Sequence, residues 1–447
     1  MPASAVSHGL ILATLHKHTP NMDKNRRDQV RQQWFFAGAT CNTTGKALRI
    51  ALALCIATLS IAAQAQARYR PDNAAVMLTS SVHVQSGKDS ALRALDKAWR
   101  AQPTNLDASL AYARAVFITG LTEGDLRWFG SAKAAMTPWW LAKELPADAY
   151  FLRGLIKQGF HDFRAGLEDI NLAIAREPGR PEFWSWRFAL HLLLADMAAA
   201  QQDAQEMARL FGEQEASVYR AILLYRGGQA KAAITSLEGL RIAPDFQGAS
   251  SQEWLGFHLG EAYRVAGQAE QAITLWKKQL QTSPRSHLLR LSLADVLNQQ
   301  GRHREARQIA TMSGPSDSTT DALLMQTLLA SRGLKDGDEV RLASLFEARM
   351  KSQALRQESL IERPKLVYLI SYGKDLTAGL ALSIENWKLQ KEPADAVLFA
   401  QAALALQQPR AAEPVVAWAN ETRYTDPQLS PLLAQLKAHP RWSGGTQ

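Results

Sequence analysis

From residue 68 onward, apolar positions recur three or four residues apart, while the two-residue alternation of half-buried strands is almost absent. No Asn-Gly or Asp-Gly pair separates two alternating apolar runs, so hairpins are not expected. Helical stretches of 12 to 18 residues are cut by short breaks at Gly227-Gly228, Gly267, Pro284 and Gly301. The pattern predicts an all-α chain.

The breaks are spaced regularly. Counting from Leu259, the residues Gly260, Tyr263, Gly267, Ala272, Trp276 and Pro284 fall at offsets of 1, 4, 8, 13, 17 and 25, and Gly301 follows Gly267 by 34. These intervals resemble the tetratricopeptide (TPR) motif, a helix–turn–helix unit of 34 residues. A second copy keeps Leu293-Ala294, Leu297, Gly301 and Ala306. Upstream, Gly228 to Ile234 parallels Gly267 to Ile273 at a distance of 39, and Gly154, Phe163, Gly166, Ile170, Ala173 and Pro178 keep the same offsets. Trp184 and Trp186 open a further pair, and Ala91, Leu95, Ala98 and Pro103 look like the second half of a degenerate unit. The resemblance covers residues 147–311 specifically, 90–140 weakly and 321–438 only as architecture.

The motif implies an α-solenoid, a superhelix of antiparallel helix pairs. Small residues at Gly260, Ala272 and Ala294 let helices approach, Tyr263 and Trp276 fill the gaps between them, and Pro178 and Pro284 end each second helix. The expected organisation is a leader over 1–67, repeats over 68–314, a polar linker over 315–320, and divergent repeats with a C-terminal cap over 321–447. Helical segments in the last part are expected at Ala381–Gln390, Ala394–Leu406, Ala411–Asn420 and Gln428–Lys437.

The leader changes how the charge is interpreted. Of 447 residues, 51 are Lys or Arg and 42 are Asp or Glu, a net charge of +9 that would suggest an anionic partner. Yet residues 50–61 form an apolar run preceded by Lys46 and Arg49 and followed by Ala63-Gln64-Ala65-Gln66-Ala67, the anatomy of a secretory signal with cleavage after Ala65 or Ala67. Cutting there removes seven basic and two acidic residues and both cysteines, Cys41 and Cys55, leaving a thiol-free chain at +4. The main argument for nucleic acid disappears, and an oxidising periplasmic location is expected. The alternative is an uncleaved anchor through residues 50–67 that tethers the array to the inner membrane.

In TPR arrays the first helix of each pair lines the concave groove, so the resemblance places Trp254, Phe257, Glu261 and Arg264 there, followed by Leu288, Leu291, Asp295 and Asn298. Val218, Ile222 and Tyr225 precede them, as do Phe151, Leu155 and Gln158. The first four sit at i, i+3, i+7 and i+10, one helical face. Trp254, Phe257, Glu261, Arg264, Asp295 and Asn298 are the candidate partner-binding residues, and the opposing reading is that the apolar ones pack against a neighbouring helix.

Catalytic chemistry has little support. The seven histidines after residue 67 form no His-Glu-x-x-His, and no Gly-x-Ser-x-Gly, Gly-Lys-Ser/Thr loop or Gly-x-Gly-x-x-Gly occurs. Glu168-Asp169 is expected to be a solvated helix surface, and no catalytic residue, metal or cofactor is expected. The expectation is a non-catalytic scaffold of the cell envelope that binds a protein segment. An enzyme of polysaccharide processing around Trp128-Phe129 and Trp139-Trp140 is the rival, favoured by a deep pocket with converging carboxylates there.

Overall fold

The computed structural model describes residues 88–125, 127–243, 246, 248–312, 320–355 and 363–443. The leader and almost all of the 315–320 linker lie outside these residues. Among the described residues there are 21 α-helices and no strand. They are α1 Lys88–Ala101, α2 Leu106–Glu123, α3 Arg127–Ala135, α4 Ala147–Gly159, α5 Phe163–Arg176, α6 Pro181–Leu193, α7 Met197–Phe211, α8 Glu213–Arg226, α9 Ala230–Ile242, α10 Ala249–Val265, α11 Ala269–Thr282, α12 His287–Gln299 and α13 His303–Ala310. After the linker come α14 Asp321–Leu334, α15 Glu339–Leu355, α16 Arg363–Ile370, α17 Leu376–Leu389, α18 Pro393–Ala405, α19 Glu413–Thr422, α20 Leu429–Ala438 and α21 Pro440–Ser443. None of the described helices is long and apolar enough to cross a membrane.

Each even-numbered helix from α2 to α18 packs antiparallel on the odd-numbered helix that follows, except that a 3₁₀ turn at Pro409–Ala412 mediates between α18 and α19. Even-numbered helices also pack on one another, α2 on α4, α8 on α10, α12 on α14, and onward to α20. This two-layer succession, in which each unit meets mainly its neighbours, is the signature of a solenoid.

The repeat persists where the sequence signature fades. Within each of nine pairs the chain reverses through one residue in the left-handed region: Gly124, His161, Ala195, Gly228, Gly267, Gly301, Lys335, Gly373 and Gln407. In eight of them the next amide donates to the carbonyl four residues before the left-handed one, as in Gln229 to Leu224, Gln268 to Tyr263 and Arg302 to Leu297, all 2.8 Å. That bond closes the helix end and satisfies an otherwise orphaned carbonyl. Glycine marks the turn only where it happens to be used. At His161, Ala195, Lys335 and Gln407 the same conformation is held by a residue that pays a steric cost, and the sequence reading passes over them.

Side-chain size fixes the spacing inside the pairs. A methyl on Gly260 of α10 would sit 2.1 Å from Trp276 Nε1 of α11, so the indole lies directly on the glycine backbone. Ala272 beside it is fully buried among Phe257, Ile273 and Trp276. α2, α7 and α17 begin where a short polar side chain takes a free amide: Asn105 accepts from Ala108 at 3.1 Å, Asp196 from Ala199 and Asp375 from Ala378 at 2.9 Å.

The two layers differ in burial. In α4, 11 of 13 residues are buried and in α6, 10 of 13, against 4 of 15 in α7 and 4 of 13 in α9. A helix buried nearly all round is covered on more than one side. One apolar cluster running from Tyr112 through Trp254 and Leu275 also takes in Leu366, Trp387, Phe399, Trp418 and Leu436 of the C-terminal part.

Candidate interaction surface

The six residues read from the motif separate into three pairs. Trp254 and Phe257 are in the core, 6% and 1% exposed. The Trp254 ring lies 5.5 Å from that of Tyr219 on α8 and edge-on to His258, while Phe257 turns toward α11 and stacks on Trp276. Both apolar rings are therefore engaged between helices. His258, fully buried, faces the Tyr225 hydroxyl at 3.0 Å, and burial pushes its pKa down to about 3.

Glu261 and Arg264 lie at the far end of α10, with side chains 14% and 20% exposed. They pair at 3.1 Å, and Arg264 also reaches Asp426 at 2.8 Å, a residue of the loop between α19 and α20. Burial alone would lower the Arg264 pKa, but Glu261, Tyr424 and Asp426 overcome it and hold the guanidinium charged well above the ordinary range. Asp295 and Asn298 on α12 reach instead to the next first helix. Gln326 of α14 donates to Asp295 at 3.1 Å, and the Asn298 amide donates to the Gln326 carbonyl and side-chain oxygen, both at 2.9 Å. Burial raises the Asp295 pKa. Glu261, Arg264, Asp295 and Asn298 thus form a polar row on consecutive first helices, partly open to solvent.

Further charged residues, which the sequence does not single out, lie beside this row. Arg226, at the end of α8, lies 3.3 Å from Glu392, and Arg363, at the start of α16, donates to Asp395 at 2.7 Å. Burial raises the Glu392 pKa despite Arg226 and Arg363. For Asp395 burial acts upward as well, but Arg363, Gln390 and Asn386 outweigh it and hold the carboxyl low. Arg226 and Glu392 are 166 residues apart and Arg363 and Asp395 are 32 apart, so neither pair leaves a local pattern in the sequence.

The C-terminal loops meet the array at its turns. The Lys391 amide donates to the Leu193 carbonyl at 2.8 Å, at the end of α6. A methyl on Gly228 would lie 2.2 Å from the Arg423 carbonyl oxygen, and one on Gly267 would touch Pro427. The loop before α18 therefore seats on the ends of α6 and α8, and the loop before α20 on the ends of α8 and α10.

In the aromatic stretch near 128–140 Phe129 belongs to the core, while Trp128, Trp139 and Trp140 are partly exposed and pack against it. Phe129 is fully buried and stacks on Phe117 at 4.8 Å, and Trp128 donates its indole N–H to Glu123. Beyond it a cavity of about 340 Å³ is lined by Trp140, Leu141, Tyr150, Arg153, Lys157, Glu168, Asp169 and Leu172. Asp169, expected to be solvated, is instead buried and bonded by Arg153 at 2.6 Å and Lys157 at 2.8 Å, while Glu168 is exposed. Arg153 also donates to the carbonyls of Trp139, Trp140 and Ala142, so it fixes the irregular turn. The two carboxylates are adjacent on one helix, and one is fully engaged by cations. That is a structural clamp and not the opposed acid and base of glycoside cleavage.

The sequence matches no family profile and no curated protein. Solved structures with similar arrangements include a human IFIT1 dimer with m7Gppp-AAAA, at 12% identity and a TM-score of 0.41 over 75% of this chain and 86% of that one. Yeast Tom70 gives 10% identity and 0.36 over 79% and 85%. The APC/C hetero-tetramer Cut9-Hcn1 gives 12% and 0.29 over 80% and 88%. At these values the likeness is one of helical repeats and carries no function across; the helix pairing and the recurring turn establish the architecture as an all-helical α-solenoid of TPR-like pairs.

Proposed function

We propose that this chain is a non-catalytic scaffold that recognises a segment of a partner protein along its inner face. The observation that carries this reading is the polar row of Glu261, Arg264, Asp295 and Asn298, presented by consecutive first helices and partly open to solvent. A row repeated at helix-pair spacing suits an extended or helical peptide, whose affinity is the sum of small contacts over several repeats. The hydrogen-bonding groups on it are of both signs, which suits a polypeptide better than a polyanion.

The reading includes export, with the signal over residues 50–67 directing the chain to the periplasm and a cell-envelope role for the array; retention of that segment would tether the same array to the inner membrane. Mass spectrometry of the amino terminus of protein made in its host separates the two. For the partner, Glu261→Gln and Asp295→Asn preserve shape and remove charge. Co-purification beside the unaltered chain is expected to lose the same protein with both variants. A partner set insensitive to both changes contradicts the inner-face reading.

A further inference from the structure

Two loops of the C-terminal region hold the inner edge of the array by charge. Glu392 precedes α18 and meets Arg226 in the last turn of α8, both 5% exposed on their side chains. Asp426 precedes α20 and meets Arg264 in the last turn of α10. The loops follow one another at the spacing of one helix pair, as do α8 and α10, so each acid finds the arginine of its own repeat. The main-chain bond from Lys391 to Leu193, and the seating of Arg423 and Pro427 over Gly228 and Gly267, fix the same register. Ion pairs at such buried points are poor adhesives, because apolar residues of like volume often hold as well or better, whereas charges specify one arrangement over others.

We propose that residues 363–443 form a releasable cover, clasped by Arg226–Glu392 and Arg264–Asp426, whose opening frees the inner edge of α6 to α10 for a partner. The closed form dominates because the cover also shares the apolar cluster, and the ion pairs set how often it lifts. The autoinhibitory meaning rests on the scaffold reading above, but the opening itself does not. Other surfaces carry less: the cavity beside Trp140 has its buried acid already paired, and His258 is enclosed.

Hydrogen exchange followed by mass spectrometry on the whole chain tests this without a partner. In the unaltered protein, peptides from α17, α18 and α20 are expected to exchange at least about tenfold faster than the slowest peptides of α4 to α7, through an opening short of global unfolding. Asp426→Asn, at the more exposed pair, is expected to speed exchange about threefold or more in those peptides and in the turns at 224–229 and 263–268, leaving α4 to α7 unchanged. A single common exchange rate for both parts of the unaltered chain overturns the proposal, whether or not the variant folds, as does an Asp426→Asn profile equal to the unaltered one. Failure of the scaffold reading looks different: the cover opens, yet no protein is captured on the inner edge.

Discussion

Arg226 and Glu392 stand 166 positions apart in the chain and 3.3 Å apart in space, each almost wholly buried. Removing one member leaves the other charged and desolvated, so Arg226→Ala should cost about 3–5 kcal/mol in urea unfolding. Replacing both by apolar residues, Arg226→Met with Glu392→Leu, should recover most of that loss. Equal destabilisation by the single and the double variant would show that the pair does not act as a unit.

The turn repeated from Gly124 to Gln407 separates strain from contact. Gly301 has left-handed backbone and open space around it, so Gly301→Ala should cost about 1 kcal/mol from conformation alone. Gly228→Ala adds a collision with the Arg423 carbonyl and should cost clearly more. In the opposite direction, Lys335→Gly and Gln407→Gly relieve a strained residue and should be neutral or stabilising. Denaturation midpoints of the four variants check the order.

These turns also show what a sequence can and cannot reveal. The 34-residue period was legible over 147–311 because Gly228, Gly267 and Gly301, with Gly260 against Trp276, leave a visible residue signature. Over 321–438 the same geometry is held at Lys335 and Gln407, where the amide of the next residue closes the turn whatever the side chain, so only helical periodicity survives. The polar row was legible from register, and its residues do lie on first helices. Trp254 and Phe257 share that helix yet pack between neighbours, because a ring's direction depends on which helix faces it. Asp169 looks solvated from the sequence because its cations, Arg153 and Lys157, come from a different helix.

Packing gives a further check of register. Ala272 is enclosed by Phe257, Ile273 and Trp276, so Ala272→Leu should overpack by about 1–3 kcal/mol. An unchanged thermal midpoint would contradict the placement of α11 against α10.

Two buried groups give opposite pH trends. Burial raises the Asp203 pKa from 3.8 to about 6, against the pull of Arg187. The native state therefore holds this proton more tightly. The contribution is fully present below about pH 4 and is lost as pH rises through 6. Relative to the unaltered chain, Asp203→Asn should gain about 1–3 kcal/mol between pH 4 and 7. His258, lowered from 6.5 to about 3, contributes stability above pH 6.5 that is lost as pH falls toward 3. His258→Asn should gain relative to the unaltered chain as pH is lowered. Urea curves at four pH values read both, and parallel pH profiles for all three proteins would contradict these assignments.

Recognition along the inner edge is the core of the functional reading, and photo-crosslinking in the producing cell tests it most directly. A crosslinking residue at Gln299, exposed on α12 beside Asp295, is compared with one at Lys278, exposed on the outer helix α11. The expected result is one discrete protein adduct from position 299 that is absent from 278 and lost with Asp295→Asn. Adducts of equal yield from both positions, or none from 299 while 278 reacts, would contradict it.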